Sequence, residues 1–592
     1  MVSVPKKGND LKDMDNYRGI SLFPVLLKLV TTVVIRRITR GLKGRGWFRR
    51  EQAGFRAREE CPAQAAALHE ILVRRKNRGK RTYLAFVDMR KAYDTVPHGA
   101  LLRKLWLAGV RGRALAFMQA LYDDTRMSVV TPHGASESVP VLRGVRQGCP
   151  ASPAVFNIFV NDILDGLDPF GVSVPGLAGV GGAVEGRVAG LLFADDLVVL
   201  APPRRRLVRM LGALDEWADR NEMSFGISKC GIMGVGHDGL GLNDRLRGEA
   251  DRWQLGGANV PIVDSYQYLG MIFTPTLSTQ AMVDDRVAKG WRAYHALRPV
   301  LECTRIPLAI RVRLVKATLL PTVMYGAELW GMSAQRCSRA ETLLREVLRS
   351  LLRLGRRSTI TSSMTLGLEL SVPPVHARAS ATRGRAFHKY ASLRTVVAGL
   401  VSRPTSAGVA QRSWTTASRA WLRRFCPAPP ALPPAQVAPD TPWAVANRVR
   451  ATVWESMAGH EGGRSLARYR QQGFEASNGY IWQAVKYPAL ANGVHWLTRA
   501  RVGAIWVGTA YARIRWLPAE YLTRCPFCGV GDGVEAGVVG DDVAGGVDVE
   551  VAHGGGHGGE TLSHLLLECP RWDESRVRLR PLIDEARARL GY

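Results

Sequence analysis

The segment LLFADDLVVL at residues 191–200 predicts two short strands joined by a tight turn that carries Asp195 and Asp196. A second apolar, β-rich segment, TYLAFVDM at residues 82–89, contains one acid, Asp88. A carboxylate without a partner is costly to bury, so these acids need compensation. Because aspartate also favours turns, Asp195 and Asp196 could simply shape the hairpin. The alternative is that all three carboxylates hold hard cations, as two-ion phosphoryl transfer requires.

The composition is that of a basic, globular chain. Its 592 residues are 46% apolar, 8% aromatic and 22% charged, which predicts several packed domains. The net charge of +30 favours a polyanionic partner, with nucleic acid ahead of an anionic membrane, although GC-rich coding can also enrich arginine. The nine cysteines do not form a disulfide framework and favour a reducing compartment. The sequence contains no apolar leader and no apolar run of membrane-spanning length.

Hydrophobic periodicity predicts mostly helical segments around the two β-rich ones. The predicted helical segments are residues 26–72, 98–122, 153–164, 207–221, 283–400 and 443–521. The first is followed by RRKNRGKR at residues 74–81, which we interpret as a solvated loop, with nuclear import or RNA contact as the alternative. Seven prolines in residues 426–442 predict an extended linker, and residues 529–560 predict a disordered insert rich in Gly, Val and acids.

An ordered series of short segments resembles the motifs of reverse transcriptases from non-LTR (LINE-type) retrotransposons. The series is PKKG at 5–8, NYRGISL at 16–22, EQAGFR at 51–56, FVDMRKAYD at 86–94, RGVRQGCPASP at 143–153, FADD at 193–196, FGISKC at 225–230, YQYLG at 266–270 and YGAELW at 325–330. One such match would be weak, but chance does not readily produce the whole series in order. Gly19 stands where the family more often has proline, and Phe193 where it more often has tyrosine.

The resemblance implies an α+β, right-hand polymerase fold with partial fingers, a palm, a helical thumb, a mostly helical C-terminal region and a small zinc-knuckle-like end. The implied boundaries are 1–82 for the fingers, 83–275 for the palm, 276–425 for the thumb and helical extension, 426–442 for the linker, 443–521 for the helical C-terminal region, 522–572 for the knuckle with its insert and 573–592 for a tail. Neither end has room for a nuclease domain of ordinary size, so we expect no DNA-nicking activity.

The same resemblance implies an RNA-directed DNA polymerase that extends a primer 3′-OH by two-metal phosphoryl transfer. It assigns two Mg²⁺ ions to Asp88, Asp195 and Asp196, and it assigns protonation of the leaving pyrophosphate to Lys229. It places four residues beside the incoming nucleotide: Arg56 at the triphosphate, Tyr93 against a ribose 2′-OH, and Gln147 and Gly148 at the nucleotide or template.

The implied partners are an RNA template, a DNA primer or target DNA, and dNTPs, with no membrane. The implied location is intracellular, in the nucleus with a cytoplasmic ribonucleoprotein stage. The alternative function is a non-catalytic nucleic-acid-binding remnant of such a polymerase, against which the three intact acids argue. Group II intron and telomerase-like polymerases fit the thumb motif and the Cys/His end less well. The sequence leaves the oligomeric state open.

The C-terminal end carries a Cys-x2-Cys pair and, further on, a His-x4-Cys pair, spacings that suit tetrahedral zinc. The four candidate ligands are Cys525, Cys528, His564 and Cys569. The family often has a zinc knuckle at this place, but the gap between the pairs is much longer here, and His553 and His557 offer competing ligands. We therefore predict a structural Zn²⁺ ion, with a metal-free Cys-x2-Cys segment as the alternative.

Overall fold

The computed structural model describes most of the chain up to residue 505. The described ranges are 1–6, 12–13, 16–131, 133–178, 186–354, 361–403, 413–425, 441–461, 463–474 and 478–505, with a few residues between 571 and 581. Residues 426–440 of the predicted linker, the insert at 529–560 and the four candidate zinc ligands lie outside these ranges. What the sequence predicts for them therefore stays a prediction.

The described strands fall in the first half of the chain. They are β1 (Val2–Pro5), β2 (Tyr17–Ile20), β3 (Thr82–Val87), β4 (Arg126–Met127), β5 (Val130–Thr131), β6 (Gly134–Ala135), β7 (Val139–Pro140), β8 (Val172–Val174), β9 (Gly186–Val188), β10 (Gly190–Phe193), β11 (Asp196–Ala201), β12 (Gly231–Val235), β13 (Gln254–Leu255), β14 (Ala258–Asn259), β15 (Tyr266–Tyr268) and β16 (Met271–Phe273).

Helices separate the strands and dominate the second half of the chain. They are α1 (Val25–Gly44), α2 (Cys61–Asn77), α3 (Ala92–Thr95), α4 (His98–Leu107), α5 (Gly112–Tyr122), α6 (Ser152–Phe159), α7 (Arg204–Arg220), α8 (Gly241–Arg247), α9 (Gln280–Leu301), α10 (Leu308–Leu314), α11 (Leu320–Met324), α12 (Ala327–Trp330), α13 (Ala334–Leu351), α14 (Ser363–Glu369), α15 (Val375–Tyr390), α16 (Val396–Ser402), α17 (Trp414–Phe425), α18 (Pro442–Glu461), α19 (Gly463–Gln471), α20 (Gln483–Lys486) and α21 (Ala491–Arg501).

Four antiparallel strands form the central sheet in the order β10-β11-β3-β12. β3 lies in the middle and is buried along its whole length, as expected for an aromatic and aliphatic segment without charge. The register pairs Val87 at the end of β3 with Leu197 near the start of β11, and Phe193 with Asp196 across the β10–β11 turn. The predicted strand–turn–strand at residues 191–200 is therefore confirmed.

The two faces of β3 bury different side chains because successive residues of a strand point to opposite sides. On one face, Val87 belongs to a core cluster that includes Leu207 and Leu214 from the apolar side of α7. On the other face, the ring of Phe86 stacks on Tyr266 with 4.1 Å between ring centroids. The sheet is thus covered on both sides, and its open end is the one where β3 stops and β11 begins.

Glycines with positive φ divide two of the predicted helical segments. The prediction of a continuous helical pattern at residues 26–72 is wrong, because α1 ends before Gly46, whose φ is +65°, and a turn-rich connection leads to α2. The predicted helix at 98–122 is likewise two helices, α4 and α5, since Gly109 has a φ of +85°. The predicted helix at 207–221 is confirmed by α7.

The interpretation of the basic run at residues 74–81 as a solvated loop is wrong for its first half. Arg74 and Arg75 belong to α2 and are buried. Arg74 Nε donates to Glu70 Oε1 at 2.7 Å, and Arg75 Nη1 donates to the Ser173 carbonyl at 2.8 Å. A buried guanidinium is tolerated when its donors find such acceptors, so these residues tie α2 to its surroundings.

A second, smaller sheet has the strand order β2-β1-β5-β6. β1 pairs antiparallel with β2, which places Val2 opposite Ile20, and it pairs in parallel with β5 at Val130. Directly after β2, Ser21 N donates to the Gln147 carbonyl at 2.7 Å. This sheet therefore brings the end of the NYRGISL segment to the RGVRQGCPASP segment.

The chain forms two compact units. The first comprises Met1–Arg292, Leu320–Leu343 and Pro374–Glu455, and the second comprises Ala293–Leu319, Leu344–Pro373 and Ser456–Tyr592. Inside the second unit, the buried guanidinium of Arg311 donates to the carbonyls of Leu301 at 2.9 Å and Leu351 at 2.6 Å. Within the described residues, none of the helices combines the length and the apolar character needed to cross a lipid bilayer.

Candidate active site

The open end of the central sheet gathers the three predicted acids. Asp88 directly follows β3, and Asp196 begins β11, the antiparallel neighbour of β3. Asp195 and Ala194 form the turn between β10 and β11, where Ala194 has a φ of +60°. The end of one antiparallel strand lies beside the start of the next, so the pairing places all three carboxylates in one region.

Asp88, Asp195 and Asp196 lie close enough to influence one another's ionisation. Burial first, and then the charges of Asp195 and Asp88, raise the pKa of Asp196 to about 6. Burial and the charge of Asp88 also raise the pKa of Asp195. Burial raises the pKa of Asp88, while Lys229, whose Nζ lies 3.7 Å from Asp88 Oδ2, acts in the opposite direction. Negative charge therefore accumulates in a partly dehydrated place, where a cation would be stabilised.

The donor set of this region fits a hard divalent cation. Carboxylate oxygens are the ligands that Mg²⁺ prefers. Gly226 keeps space open beside Asp88, because a Cβ on Gly226 would lie 2.8 Å from Asp88 Oδ2. Within the described part of the chain, no three carboxylate, thiolate or imidazole groups already enclose a metal-sized space.

The FGISKC segment supports Asp88 from the side. The Gly226 amide donates to the Asp88 carbonyl at 2.8 Å, and the Asp88 amide donates to Cys230 Sγ at 3.4 Å. Lys229 ends a short 3-10 helix, and its side chain is 74% exposed. The predicted proton donor is thus held next to the acids while its ammonium group remains accessible.

The ring of Tyr93 is held between two aromatic side chains. It stacks on Phe156 with 4.9 Å between centroids and meets Phe55 edge-on at 6.2 Å. Burial raises the pKa of the Tyr93 hydroxyl, and the nearby charge of Asp195 adds to the rise. The structure therefore places the predicted sugar-discriminating ring, in a fixed orientation, within electrostatic reach of the acids.

Gln147 and Gly148 belong to the RGVRQGCPASP segment at residues 143–153, named the second palm motif from here on, and lie where this segment meets the sheet β2-β1-β5-β6. Gly148 has a φ of +109°, and a Cβ at this position would lie 2.5 Å from the Ser21 carbonyl oxygen. The Gln147 carbonyl accepts the hydrogen bond from Ser21 N at 2.7 Å. Both the backbone conformation and the close approach require glycine, which explains Gly148 in local terms.

Arg56 lies in a different environment from the acids. Its Nη1 donates to the carbonyls of Arg49 at 3.0 Å and Gln52 at 2.8 Å. Burial lowers the pKa of Arg56, and the charge of Arg394 lowers it further. The side chain lines a cavity of about 220 Å³ together with Lys43 and Arg394. Its predicted contact with the incoming triphosphate stays a prediction.

Comparison with known families decides what this arrangement belongs to. Residues 4–273 match the family model described as reverse transcriptase (RNA-dependent DNA polymerase). Residues 4–273 are a reverse transcriptase domain. The match contains the central sheet, the three acids and every predicted nucleotide-binding residue, and it confirms a polymerase fold of mixed helix and sheet.

Two curated relatives place the domain among non-LTR retrotransposon proteins, as the motif series predicts. The "Retrovirus-related Pol polyprotein from type-1 retrotransposable element R2" of Popillia japonica is 24% identical over 59% of this chain and 47% of that protein. The "RNA-directed DNA polymerase from mobile element jockey" of Drosophila funebris is 23% identical over 57% of this chain and 35% of that protein. The matches therefore span between about a third and about half of the length of these curated relatives.

Among solved structures, the apo telomerase of Candida tropicalis is 10% identical and covers 62% of this chain and 54% of that chain, with a TM-score of 0.31.

Sequence reasoning missed one group of residues near the acids of the reverse transcriptase domain. Three buried amides, Gln52, Gln64 and Asn157, hydrogen-bond to the backbone around residues 51–54 and the β10–β11 turn. The sequence did contain one signal for Gln64: it is a polar residue within the alanine-rich stretch of α2, which is buried. The signal was weak, because the partners of Gln64 are distant in sequence.

Proposed function

We propose that the chain is an RNA-directed DNA polymerase that adds dNTPs to a primer 3′-OH on an RNA template. The observation that carries this proposal is the gathering of Asp88, Asp195 and Asp196 at the open end of the central sheet of a reverse transcriptase domain. The proposal includes a finer architecture: residues 1–82 as partial fingers, 83–275 as a palm that contains the central sheet, and 276–425 as a helical thumb with its extension.

In the proposed reaction, the primer 3′-oxygen forms a bond to the α-phosphorus of the dNTP. The bond from that phosphorus to the bridging oxygen breaks, pyrophosphate leaves, and the hydroxyl proton passes to solvent. Mg²⁺, when bound by the oxygens of the three aspartates, supplies the positive charge that stabilises attacking and leaving oxygens. Lys229 Nζ donates a proton to the leaving pyrophosphate, and the fixed ring of Tyr93 excludes a ribose 2′-OH.

Two adjoining cavities support nucleic acid as the partner. Their volumes are about 220 and 810 Å³, and both are lined by Lys43 and Arg394. Further cationic side chains line one or the other: Arg36, Arg40, Arg56 and Arg58. Burial lowers the pKa of Lys43, and the charges of Arg56 and Arg394 lower it further. Cations that repel one another across a cavity are stabilised by an anion, and we assign this surface to phosphates of the template or primer.

The smaller cavity is also lined by one acid, Glu59, whose charge offsets part of the positive charge and opposes the lowering of the Arg56 pKa by burial. Four cations outnumber it there: Lys43, Arg56, Arg58 and Arg394. Glu59 accepts hydrogen bonds from the Arg394 amide at 3.0 Å and from the Thr395 hydroxyl at 2.9 Å, so its carboxylate is engaged at the start of α16. The larger cavity is also lined by Phe55 and by Pro150 and Pro153 of the second palm motif. It therefore adjoins the proposed nucleotide-binding region.

Primer extension on an RNA template tests the polymerase proposal. Wild-type chain should incorporate dNTPs with Mg²⁺, and the variant that combines Asp88→Asn, Asp195→Asn and Asp196→Asn should not, while both bind RNA. A chain that binds RNA in a salt-dependent manner without incorporation would instead be the non-catalytic remnant. Replacing Lys43 and Arg394 by alanine should weaken RNA binding and reduce its salt dependence by about two charges.

For the C-terminal end, we propose a structural Zn²⁺ ion held by Cys525, Cys528, His564 and Cys569. The ligand types and their spacing support this proposal. Metal analysis of the wild-type chain should find one zinc per chain. The double variant Cys525→Ser and Cys528→Ser should lose it. Equal zinc content in both proteins would contradict these ligands.

A further inference from the structure

We infer that Gln64, which belongs to none of the motifs, is a positioning residue that fixes the Asp195 turn through residues 51–54. The inference rests on the proposed polymerase function. Gln64 lies on α2 and is 1% exposed. Its Nε2 donates to the Glu51 carbonyl at 2.7 Å and to the Leu192 carbonyl at 2.9 Å. A single amide group thus joins residues 51–54 to β10, the first strand of the acid-bearing hairpin.

Residues 51–54 extend the central sheet beyond its β10 edge. Gln52 bridges to Leu192 in parallel orientation. The Leu192 amide donates to the Glu51 carbonyl at 3.0 Å, and the Ala53 amide donates to the Leu192 carbonyl at 2.9 Å. Together with the two bonds of Gln64, these contacts hold β10 from its outer side. The hairpin cannot shift along the sheet without breaking them.

The turn itself is held by Gln52. Ala194 adopts a φ of +60°, a left-handed conformation that alanine rarely adopts without outside support. Gln52 Oε1 accepts hydrogen bonds from the Ala194 amide at 3.1 Å and from the Gly54 amide at 2.8 Å. A Cβ on Gly54 would overlap the backbone nitrogen of Ala194, so glycine is needed for this close approach. Ala194, the residue before Asp195, is therefore fixed by Gln52 and Gly54 of the EQAGFR segment.

The same segment also contacts the other parts of the proposed site. Asn157 Nδ2, on α6, donates to the Gly54 carbonyl at 2.5 Å. Phe55, the next residue, meets the ring of Tyr93 edge-on at 6.2 Å between centroids. Residues 51–55 thus touch the acid-bearing hairpin, the sugar-discriminating ring and the helix of the second palm motif. We call Gln52, Gln64 and Asn157 the amide clamp.

The amide clamp lowers the stability of the fold, which is expected of side chains that serve to position a functional turn. Gln52 Nε2, Gln64 Oε1 and Asn157 Oδ1 are buried and have no hydrogen-bond partner among the described residues. Leaving such atoms unpaired is unfavourable, and an apolar side chain of similar size would avoid the penalty. Amides in these places are expected where their hydrogen bonds hold a functional turn in a conformation that the backbone would not keep alone.

The variant Gln64→Met tests the inference, because methionine has similar length and removes both hydrogen bonds without opening a cavity. The matched control is Asn243→Leu. Asn243 is also a buried amide that joins backbone segments, with Oδ1 accepting from Gly234 N at 2.8 Å and Nδ2 donating to the Val263 carbonyl at 2.9 Å. It supports β12 rather than the acid-bearing hairpin.

Two measurements on the full chain do not depend on catalysis. Hydrogen exchange followed by mass spectrometry should show faster exchange of residues 190–197 in Gln64→Met than in wild type or Asn243→Leu. Mn²⁺ binding followed by electron paramagnetic resonance should weaken roughly tenfold in Gln64→Met and stay unchanged in the control. In primer extension, the half-saturating Mg²⁺ concentration should rise and kcat should fall, with KM for dNTP unchanged.

Unchanged exchange and unchanged Mn²⁺ affinity in Gln64→Met would overturn the inference, as would an equal change in Asn243→Leu. If Gln64→Met does not fold, the same measurements on Gln52→Met test the inference, because this change removes the acceptor of the Ala194 amide. Suppose that Gln64→Met differs from wild type in exchange and Mn²⁺ affinity as expected, but the wild-type chain incorporates no dNTP. This result would contradict the proposed polymerase function and would still support the positioning role of the amide clamp.

Discussion

The carboxylate of Glu369 and the carboxylates at the end of the central sheet differ in the partners that the protein provides. Glu369, in the second compact unit, is fully buried and accepts hydrogen bonds from the hydroxyls of Tyr469 and Tyr480. Arg501 adds a bidentate contact, with Nε at 2.7 Å from Oε1 and Nη2 at 3.2 Å from Oε2. Every oxygen of this buried acid has a donor.

The three aspartates have the opposite surroundings. The charges of Asp88 and Asp195 raise the pKa of Asp196 to about 6, and the nearby Lys229 is mostly exposed. A buried carboxylate whose oxygens all have donors is tolerated by the fold and is costly to disrupt, whereas carboxylates that face one another create a demand for a cation. The comparison teaches that the partner set, rather than burial alone, separates a structural acid from a functional one. It also predicts opposite consequences for neutralising the two kinds of acid.

The largest expected effect is on activity. Asp195→Asn should reduce dNTP incorporation by on the order of 10³-fold, because a metal ligand and its charge are lost. It should not lower the thermal unfolding midpoint, since removing one of several like charges relieves repulsion. Primer extension and thermal unfolding on the same preparation measure both effects. A large loss of stability in this variant would make Asp195 a structural acid, like Glu369.

The next effect is on stability. Glu369→Gln should lower the free energy of unfolding by roughly 3–5 kcal/mol, because the partly buried guanidinium of Arg501 loses its counter-charge at the fully buried Glu369. The matched control replaces both Glu369 and Arg501 by leucine and should cost less than the single change. Chemical denaturation measures the difference. If Glu369→Gln were as stable as wild type, the proposed contrast between the two regions would fail.

Two tyrosines sharpen the comparison further. Tyr93→Ala should reduce the preference for dNTPs over rNTPs by about 10- to 100-fold, because a rigid ring no longer excludes the 2′-OH. Tyr480→Phe removes a hydroxyl that donates to Glu369 and should leave that preference unchanged, at a cost in stability of about 1–2 kcal/mol. Single-nucleotide incorporation assays with each nucleotide give the ratio. An unchanged ratio in Tyr93→Ala would assign Tyr93 a packing role.

The smallest effect is a pH dependence. The folded chain raises the pKa of Asp196 from its ordinary 3.8 to about 6, so the folded state holds this proton more tightly than the unfolded state. This contribution to stability is fully present below the unfolded pKa and is lost as pH rises through about 6. In the absence of divalent cations, Asp196→Asn should therefore become more stable than wild type as pH rises from about 4 to 7.

Mg²⁺ should reduce that difference, because a bound cation favours the ionised carboxylate. For the same reason, the Mg²⁺ concentration that half-saturates wild-type activity should rise several-fold as pH falls below 6. A difference in unfolding midpoint that does not vary with pH or Mg²⁺ would contradict the raised pKa of Asp196.

Local patterns in the sequence were enough to predict the central features of the site. The apolar strand that ends at Asp88 and the strand–turn–strand around Asp195 and Asp196 are confirmed by the register of β3, β10 and β11. The motif series predicted a non-LTR reverse transcriptase; the family match over residues 4–273 supports a reverse transcriptase, and the similarity to the R2 and jockey proteins supports the non-LTR type. These features are readable because strand alternation, turn residues and motif spacing are all short-range properties.

Another prediction failed where contacts between distant segments determine which side chains are buried. A run of basic residues normally favours a solvated surface, yet Arg74 and Arg75 are buried because acceptors such as the Leu400 and Ser173 carbonyls reach them from distant segments. The contact of Arg56 with the triphosphate was predicted from its motif alone and stays a prediction. The cavity that Arg56 lines with Lys43 and Arg394 arises from α1 and from residues beyond α15.

From the sequence alone, the reverse transcriptase domain and the strands that carry Asp88, Asp195 and Asp196 could therefore be predicted. Only the tertiary structure decided how the acid-bearing turn is held, since the Gln64 side chain and the Leu192 carbonyl that it bonds are 128 residues apart. The physical reason is the sequence distance between the interacting groups. A carboxylate in an apolar strand already indicates a functional role, because burying its charge is costly in free energy. An amide acquires a role only from the particular backbone groups that folding brings within about 3 Å of it.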